Sequence, residues 1–263
     1  MKRSSIAKYG ALVALALACA YGSGLYAQNA ASSTAAIPRT ADGKPDFTGT
    51  YQWPTYLPGD ERGRSAATVF DRKKFAPLQP AGEAFLEPRT GIPSHDEPRD
   101  FCLPAGHPGG LLSGNAMQFF QTKNYLVMVH EFQRMTRIIP LDGRPHRTGL
   151  EPMFYGDPVG KWEGETLVID TTNFKRWQLD DYYYTNPKEF RMHSDAFHTI
   201  ERIRWKSNAA LSYEITIDDP KIFTAPWKQE FEILAKPEWD AQGLFEYVCE
   251  ENNRCPGGTC GAK

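Results

Sequence analysis

Long hydrophobic runs are missing from this chain. The nearest approach, Ala11 to Ala20 (ALVALALACA), is half the ~20-residue apolar stretch that a membrane helix needs. Charge of one sign is also missing. Thirty Lys and Arg face 32 Asp and Glu, a net charge of −2, which argues against a nucleic-acid or polyanion surface. No C-x-x-C or C-x-x-C-H occurs, so thioredoxin-like redox chemistry and c-type haem attachment lose their usual signals. There is no P-loop, no dinucleotide-binding glycine pattern and no G-x-S-x-G nucleophile elbow. Strand and helix patterns do not alternate, which argues against a parallel α/β sheet. No internal repeat of fixed period is found.

What is present begins with an export signal. Lys2, Arg3 and Lys8 form a positive segment ahead of the apolar run, and Leu25-Tyr26-Ala27 suits cleavage after Ala27. An alternative is a lipid anchor on Cys19, with Ala16-Leu17-Ala18-Cys19 as the lipobox and Ala16 where Leu is usual. Either way the protein is expected in the periplasm or outside the cell. Loss of Cys19 leaves Cys102, Cys249, Cys255 and Cys260, which allow three pairings. The Pro-Gly-Gly-Thr turn between Cys255 and Cys260 favours joining those two, and so Cys102 with Cys249. Residues 28–44 are Ala/Ser/Thr-rich and read as a disordered leader. Residues 45–263 read as one domain. Within it, 54–114 is an irregular wrapping arm rich in Pro, Gly and charge, with at most one short helix near Pro80 to Glu87.

Beyond Gly114 the pattern becomes short strands. With a first strand at Asp46–Trp53 ahead of the arm, Met117–Gln121, Asn124–Glu131 and Arg134–Pro140 are followed by a turn at Asp142-Gly143. Lys161-Trp162 and Thr166–Thr172 flank a hairpin turn, as do Phe197–Lys206 and Ala210–Asp218. Trp227–Leu234 and Gly243–Cys249 complete the set. Leu211, Tyr213, Ile215 and Ile217 alternate with Ser212, Glu214, Thr216 and Asp218, the period of a half-buried strand. The fold class expected is all-β: an antiparallel meander closed, or nearly closed, as a β-barrel. Trp53 and Trp162 are expected to plug its base.

Four segments carry a resemblance. They are FTGTYQW (47–53), RIIPLDGRPH (137–146), GDPVGKWEGETLVIDTTNF (156–174) and HSDAFH (193–198). They resemble a family of exported bacterial proteins that is largely uncharacterised, over residues 37–249. The Gly49-x-x-x-Trp53 start and the Trp162-Glu-Gly-x-Thr-Leu167 hairpin are similar to lipocalin-type (calycin) barrels. The resemblance implies export and a barrel; it transfers no catalytic residue. Beyond Cys249 the family continues with a His/Asn-rich segment, where this chain has Glu250–Arg254 and a Cys-flanked loop.

Ionisable groups concentrate at residues 193–202. Strand period two places His198, Ile200, Arg202 and Arg204 on one face, and Thr199, Glu201, Ile203 and Trp205 on the other. His193, Asp195 and His198 are the candidate catalytic set, with Asp195 orienting an imidazole for proton transfer near neutral pH. The plainer reading is a turn bonded by His193 and Asp195, and an ion pair from Arg202 to Asp170 or Glu163. Arg144 and His146 leave the Asp-Gly turn at a strand end, where barrels hold ligands, and Arg144 is the candidate clamp for an anion or carbonyl. Arg202 is a further binding candidate. Trp177, Tyr182, Tyr183 and Tyr184, with Phe174, offer stacking walls for an aromatic ligand, or else an apolar patch on the barrel exterior. His130 reads as a core histidine, and His107 as part of a loop capping the barrel mouth.

These residues point to an exported barrel acting on an apolar or aromatic small molecule by His/Asp acid/base chemistry, without an organic cofactor. Isomerisation, cyclisation, elimination or hydrolysis would suit such a site. The alternatives are a non-catalytic carrier and a divalent-metal enzyme using His146, His193, Asp195 and His198. The H-x-D-x-x-H spacing is not a standard zinc pattern. No nucleic-acid partner and no transmembrane segment are expected, and oligomeric state is left open.

Overall fold

Alternation decides where strands form. In β10 (His198–Ser207), Thr199, Glu201 and Ile203 are fully buried while Arg202 and Arg204 face outward. β11 (Ala210–Asp218) buries Leu211, Tyr213, Ile215 and Ile217 on the same side. Each fully buried Leu, Ile or Phe contributes about 1.5–3 kcal/mol, so a one-residue slip that turned these rows outward would be strongly disfavoured.

A computed structural model describes residues 36–52, 70–80, 85–88, 102–112, 115–180 and 189–248. Its other strands are β1 (Gly49–Gln52), β2 (Leu86–Pro88), β3 (Ala116–Gln121), β4 (Tyr125–His130), β5 (Thr136–Pro140), β6 (Asp157–Glu163), β7 (Thr166–Thr172), β8 (Trp177–Gln178), β9 (Glu189–His193) and β12 (Trp227–Ala235). Nine of the described strands form one antiparallel sheet, in the order β5-β4-β3-β1-β12-β11-β10-β7-β6. The sheet curls into a nearly closed barrel, as the alternation predicted. The two edge strands, β5 and β6, meet at a seam where Gly143 N donates to Gly160 O at 3.0 Å. Gly160 makes this approach possible, because a Cβ there would lie 2.9 Å from Leu141 Cδ2 and 3.1 Å from the Pro140 carbonyl. A second sheet, β2-β9-β8, lies outside the barrel sheet.

Several boundaries differ from expectation. Leu86–Pro88, placed near a possible helix, is a strand paired with β9. Gly243–Val248, expected as a strand, carries no ladder; Phe245 N instead donates to Glu131 Oε2 at 3.1 Å. Residues 36–44, expected as the end of a disordered leader, form a turn closed by an Arg39–Pro45 bridge. Trp162 stacks on Phe47 at 5.6 Å, half-buried at the core's margin. Trp53 lies outside the described residues, as do the signal segment and Cys249, Cys255 and Cys260.

The part of the arm that is described is docked. Phe70 is buried, Leu78 bridges Phe223, and Gln79 N donates to Ile222 O at 2.8 Å. A buried Arg191–Asp180 ion pair holds Phe70 from both sides: Asp180 accepts from Phe70 N, and Arg191 donates to Phe70 O. Among the described residues no helix is long and apolar enough to cross a membrane.

Candidate functional site

Two clusters of ionisable groups flank the seam, one inside the barrel and one outside. Sequence reasoning noted the inner cluster's histidines singly, His130 as a core residue, and missed the Arg137–Glu201 pair at its centre. Arg137 on β5 reaches across the lumen and grips Glu201 on β10, with Nη2 2.6 Å from Oε1 and Nη1 2.9 Å from Oε2. Tyr213 on β11 donates to Glu201 Oε2 at 2.7 Å. Arg137 and Glu201 have no exposed side-chain surface. Burial alone would push the Glu201 carboxyl up, but the Arg137 charge and hydrogen bonds outweigh it and hold it down, at about 2.

Two imidazoles, His107 and His130, flank this pair, and a third, His193, is a neighbour of His107. His107 Nε2 lies 3.4 Å from Glu201 Oε1, and its ring lies parallel to Phe174 at 5.8 Å. His130 closes β4, and His193 closes β9 with its ring stacked on Phe197 at 4.2 Å. Burial pushes all three down, His107 and His130 to about 3 and His193 to about 4, so all are neutral at pH 7. His107 Nδ1 and Nε2, His130 Nε2 and His193 Nε2 have no hydrogen-bond partner among the described residues. Buried polar atoms are rarely left so.

His107 rides on the loop 102–112. Ala105 N donates to Gln133 Oε1 and Gln133 Nε2 donates to Leu103 O, both at 2.9 Å; Trp177 Nε1 donates to Pro104 O at 2.8 Å. Gly106 has φ +75°, and a Cβ there would sit 2.5 Å from Trp177 Cδ1. Trp177 therefore pins this loop and is not an open stacking wall.

The outer cluster brings together two expected residues from distant segments. His198 Nε2 and His146 Nε2 approach the same oxygen, Asp170 Oδ1, at 2.8 Å and 3.1 Å. The other ring nitrogens face further carboxylates: His146 Nδ1 is 3.4 Å from Asp157 Oδ2 and His198 Nδ1 is 4.0 Å from Asp218 Oδ2. Both imidazoles are 30 % exposed. Burial raises the Asp157 carboxyl, but hydrogen bonds from Arg147 more than offset this and hold it below its usual range. A groove of about 370 Å³ runs along the seam, walled by Tyr125, Ile138, Pro140, Pro145, Pro158 and Val159, with Arg144, Arg147 and Asp157 also lining it. Arg144 grips Asp142 through Nε and Nη2 at 2.7–3.1 Å.

The remaining expected residues do not join. Asp195 orients neither His193 nor His198; it is exposed and paired with Lys221 Nζ at 2.5 Å, because the turn after β9 points it to solvent. His193 is buried inside, its Nδ1 donating to Ser194 O at 2.9 Å, while His198 faces out. Ser194 bonds Asp219 at 2.7 Å and borders, with Asp195, an open recess of about 760 Å³. Arg202 pairs with Glu163 at 2.9 Å, the plainer of its two readings. Tyr182, Tyr183 and Tyr184 lie outside the described residues. Among the described residues no three His, Cys, Asp or Glu are arranged to hold a metal ion, so the set His146, His193, Asp195 and His198 does not assemble. No family model, curated protein or solved structure matches the chain, so site chemistry carries the functional reading.

Proposed function

We propose that this is an exported protein that performs acid/base chemistry on an apolar or aromatic small molecule at the seam groove, with His146, Asp170 and His198 as the proton-handling set. One observation carries the reading: two imidazoles, each 30 % exposed, share one carboxylate oxygen, and one of them, His146, faces Asp157, which lines a mostly apolar groove. Asp170 fixes both rings, and each ring has a second carboxylate near its other nitrogen. Imidazole is the side chain whose ordinary titration range spans neutral pH, so such a set can take a proton at one position and return it at another. That suits isomerisation, elimination or hydrolysis. Export is supported by the sequence of residues 1–27.

The inner histidines are a poorer choice for this role. They are sealed and neutral, and the carboxylate among them is fully engaged by Arg137 and Tyr213. The wide recess beside Ser194 favours a second reading, carriage without conversion.

The test uses natively exported protein and mass spectrometry of whatever small molecule co-purifies. His146→Gln, His198→Gln and Asp170→Asn are half-exposed, so each should shift stability by no more than about 0.5–1 kcal/mol. Each is expected to slow conversion by roughly 10²-fold or more. Unchanged conversion by the His146→Gln/His198→Gln double variant rules the reading out. A ligand that is bound and never converted supports carriage.

A further inference from the structure

The groove's rim indicates what its ligand must carry. Arg144 presents its guanidinium edge to both oxygens of Asp142, Nε to Oδ1 at 2.9 Å and Nη2 to Oδ2 at 2.7 Å. That two-point geometry suits a planar carboxylate. Asp142 is a neighbour two residues away, and both side chains are substantially exposed, at 43 % and 50 %; the Tyr125 side chain is a second hydrogen-bond partner of Arg144. An exposed pair of this kind holds little free energy and exchanges readily. The other rim cation differs. Arg147 binds Asp157, whose side chain is 4 % exposed and also accepts from Arg147 N, so this pair is locked. Arg144 is thus the exchangeable cation of the groove, and Asp142 occupies its fork.

Apart from the Asp157 carboxylate, which Arg147 holds, the walls are mostly apolar and partly bare. Ile138 is 59 % exposed and Tyr125 38 %, in a groove of about 370 Å³, within the size range of small-ligand sites. A ligand with a flat apolar body and one carboxylate would cover these walls and engage the Arg144 fork.

Resting on the seam groove as the ligand site, we propose that its ligand class is aromatic or unsaturated carboxylates, bound by Arg144 in exchange for Asp142. His146 is not itself a lining residue; its ring lies 3.4 Å from Asp157, which is.

Binding is measured directly by calorimetry on the full exported chain, with cinnamate and the neutral, near-isosteric cinnamamide as probes. Cinnamate is expected to bind roughly tenfold or more tightly than the amide, the scale of one charge-assisted contact. Arg144→Lys should remove most of that preference, because an ammonium lacks the fork. Asp142→Asn should strengthen cinnamate binding several-fold and leave cinnamamide unchanged, which no structural role for Asp142 would produce. Equal affinity for the two probes, no binding of either, or a preference that survives Arg144→Lys overturns the proposal. Turnover is not the readout. Arg144-dependent carboxylate binding with unaltered conversion in the histidine variants would sink the acid/base reading and leave this one standing.

Discussion

Replacing Glu201 by Gln should be among the most damaging single changes in this protein. The substitution keeps the shape and removes the charge. Glu201 accepts two hydrogen bonds from Arg137 and one from Tyr213, at 2.6–2.9 Å, with no exposed surface on the Arg137–Glu201 pair. Without the carboxylate, the Arg137 guanidinium stays buried with no counter-charge. Breaking one side of a buried pair costs about 3–5 kcal/mol, against a typical total stability of about 5–15 kcal/mol. The seam adds to the consequence, since β5 and β6 do not pair as strands and Arg137 ties β5 to β10 across the lumen. Urea unfolding followed by tryptophan fluorescence measures the loss. The double variant Arg137→Met/Glu201→Leu supplies the control: removing both charges should recover most of the stability, because a well-packed apolar pair often matches a buried ion pair. A loss below about 1 kcal/mol for Glu201→Gln, the scale of exposed pairs such as Arg202–Glu163, would refute the argument.

Acid should destabilise the fold through the same cluster. His107, His130 and His193 are held down to about 3, 3 and 4, from an ordinary 6.5, and Glu201 to about 2, from 4.5. The unfolded chain therefore binds more protons than the native one: at the histidines from pH 6.5 down to about 3–4, and at Glu201 from 4.5 down to about 2. Stability is full above pH 6.5 and falls as pH drops, by about 1.4 kcal/mol per pH unit for each histidine that must stay neutral. A urea midpoint that stays flat between pH 7 and pH 4 would contradict this. Non-reducing peptide mapping of exported protein is expected to link Cys102 to Cys249 and Cys255 to Cys260. The first link closes a loop of about 150 residues, worth roughly 4–5 kcal/mol in the chain-entropy picture; Cys102 found as a thiol, or joined to Cys255 or Cys260, would show the framework wrong.

The barrel was legible because β10 to β12 alternate in sequence and the β10–β11 hairpin has a short polar turn. The small sheet was not. β9 reads Glu-Phe-Arg-Met-His with four of five residues buried, and β8 is two residues long, so neither shows a period. Gly243–Val248 misled for the opposite reason: it is dense in apolar residues, but Phe245 and Val248 are exposed and no strand pairs with it. Period two correctly put Glu201 on the face opposite His198, yet chemistry was sought on the outward face. A usable signal existed. Glu201 shares its strand face with Thr199 and Ile203, and Arg137 shares its face with Met135 and Ile139. Opposite charges on the apolar faces of two strands have few ways to be buried except with each other. In β5 the adjacent Ile138 and Ile139 hid the alternation, since one faces out and the other in. The meeting of His146 with His198 depends on the loop 141–152 folding back over β6 and β7, which no local pattern encodes.

The two clusters answer to one structural problem, the barrel's unpaired seam. β5 turns Arg137 and Ile139 to the lumen and Ile138 to the outer groove. The inner pair fixes where β5 lies relative to β10; the loop leaving β5 carries Arg144, His146 and Arg147 back over β6, whose Asp157 receives Arg147. His146 then meets Asp170 on β7 and, through it, His198 on β10. The strand whose inward side depends on a buried charge pair thus helps wall the outer groove. Ionisable residues spaced over 64 positions, from Arg137 to Glu201, are thus tied to one seam, with Arg137 and Glu201 buried on its inner side. A seam closed by side chains instead of a full backbone ladder leaves edge strands whose spacing can adjust, and a groove between them is where a ligand can be gripped without breaking a sheet.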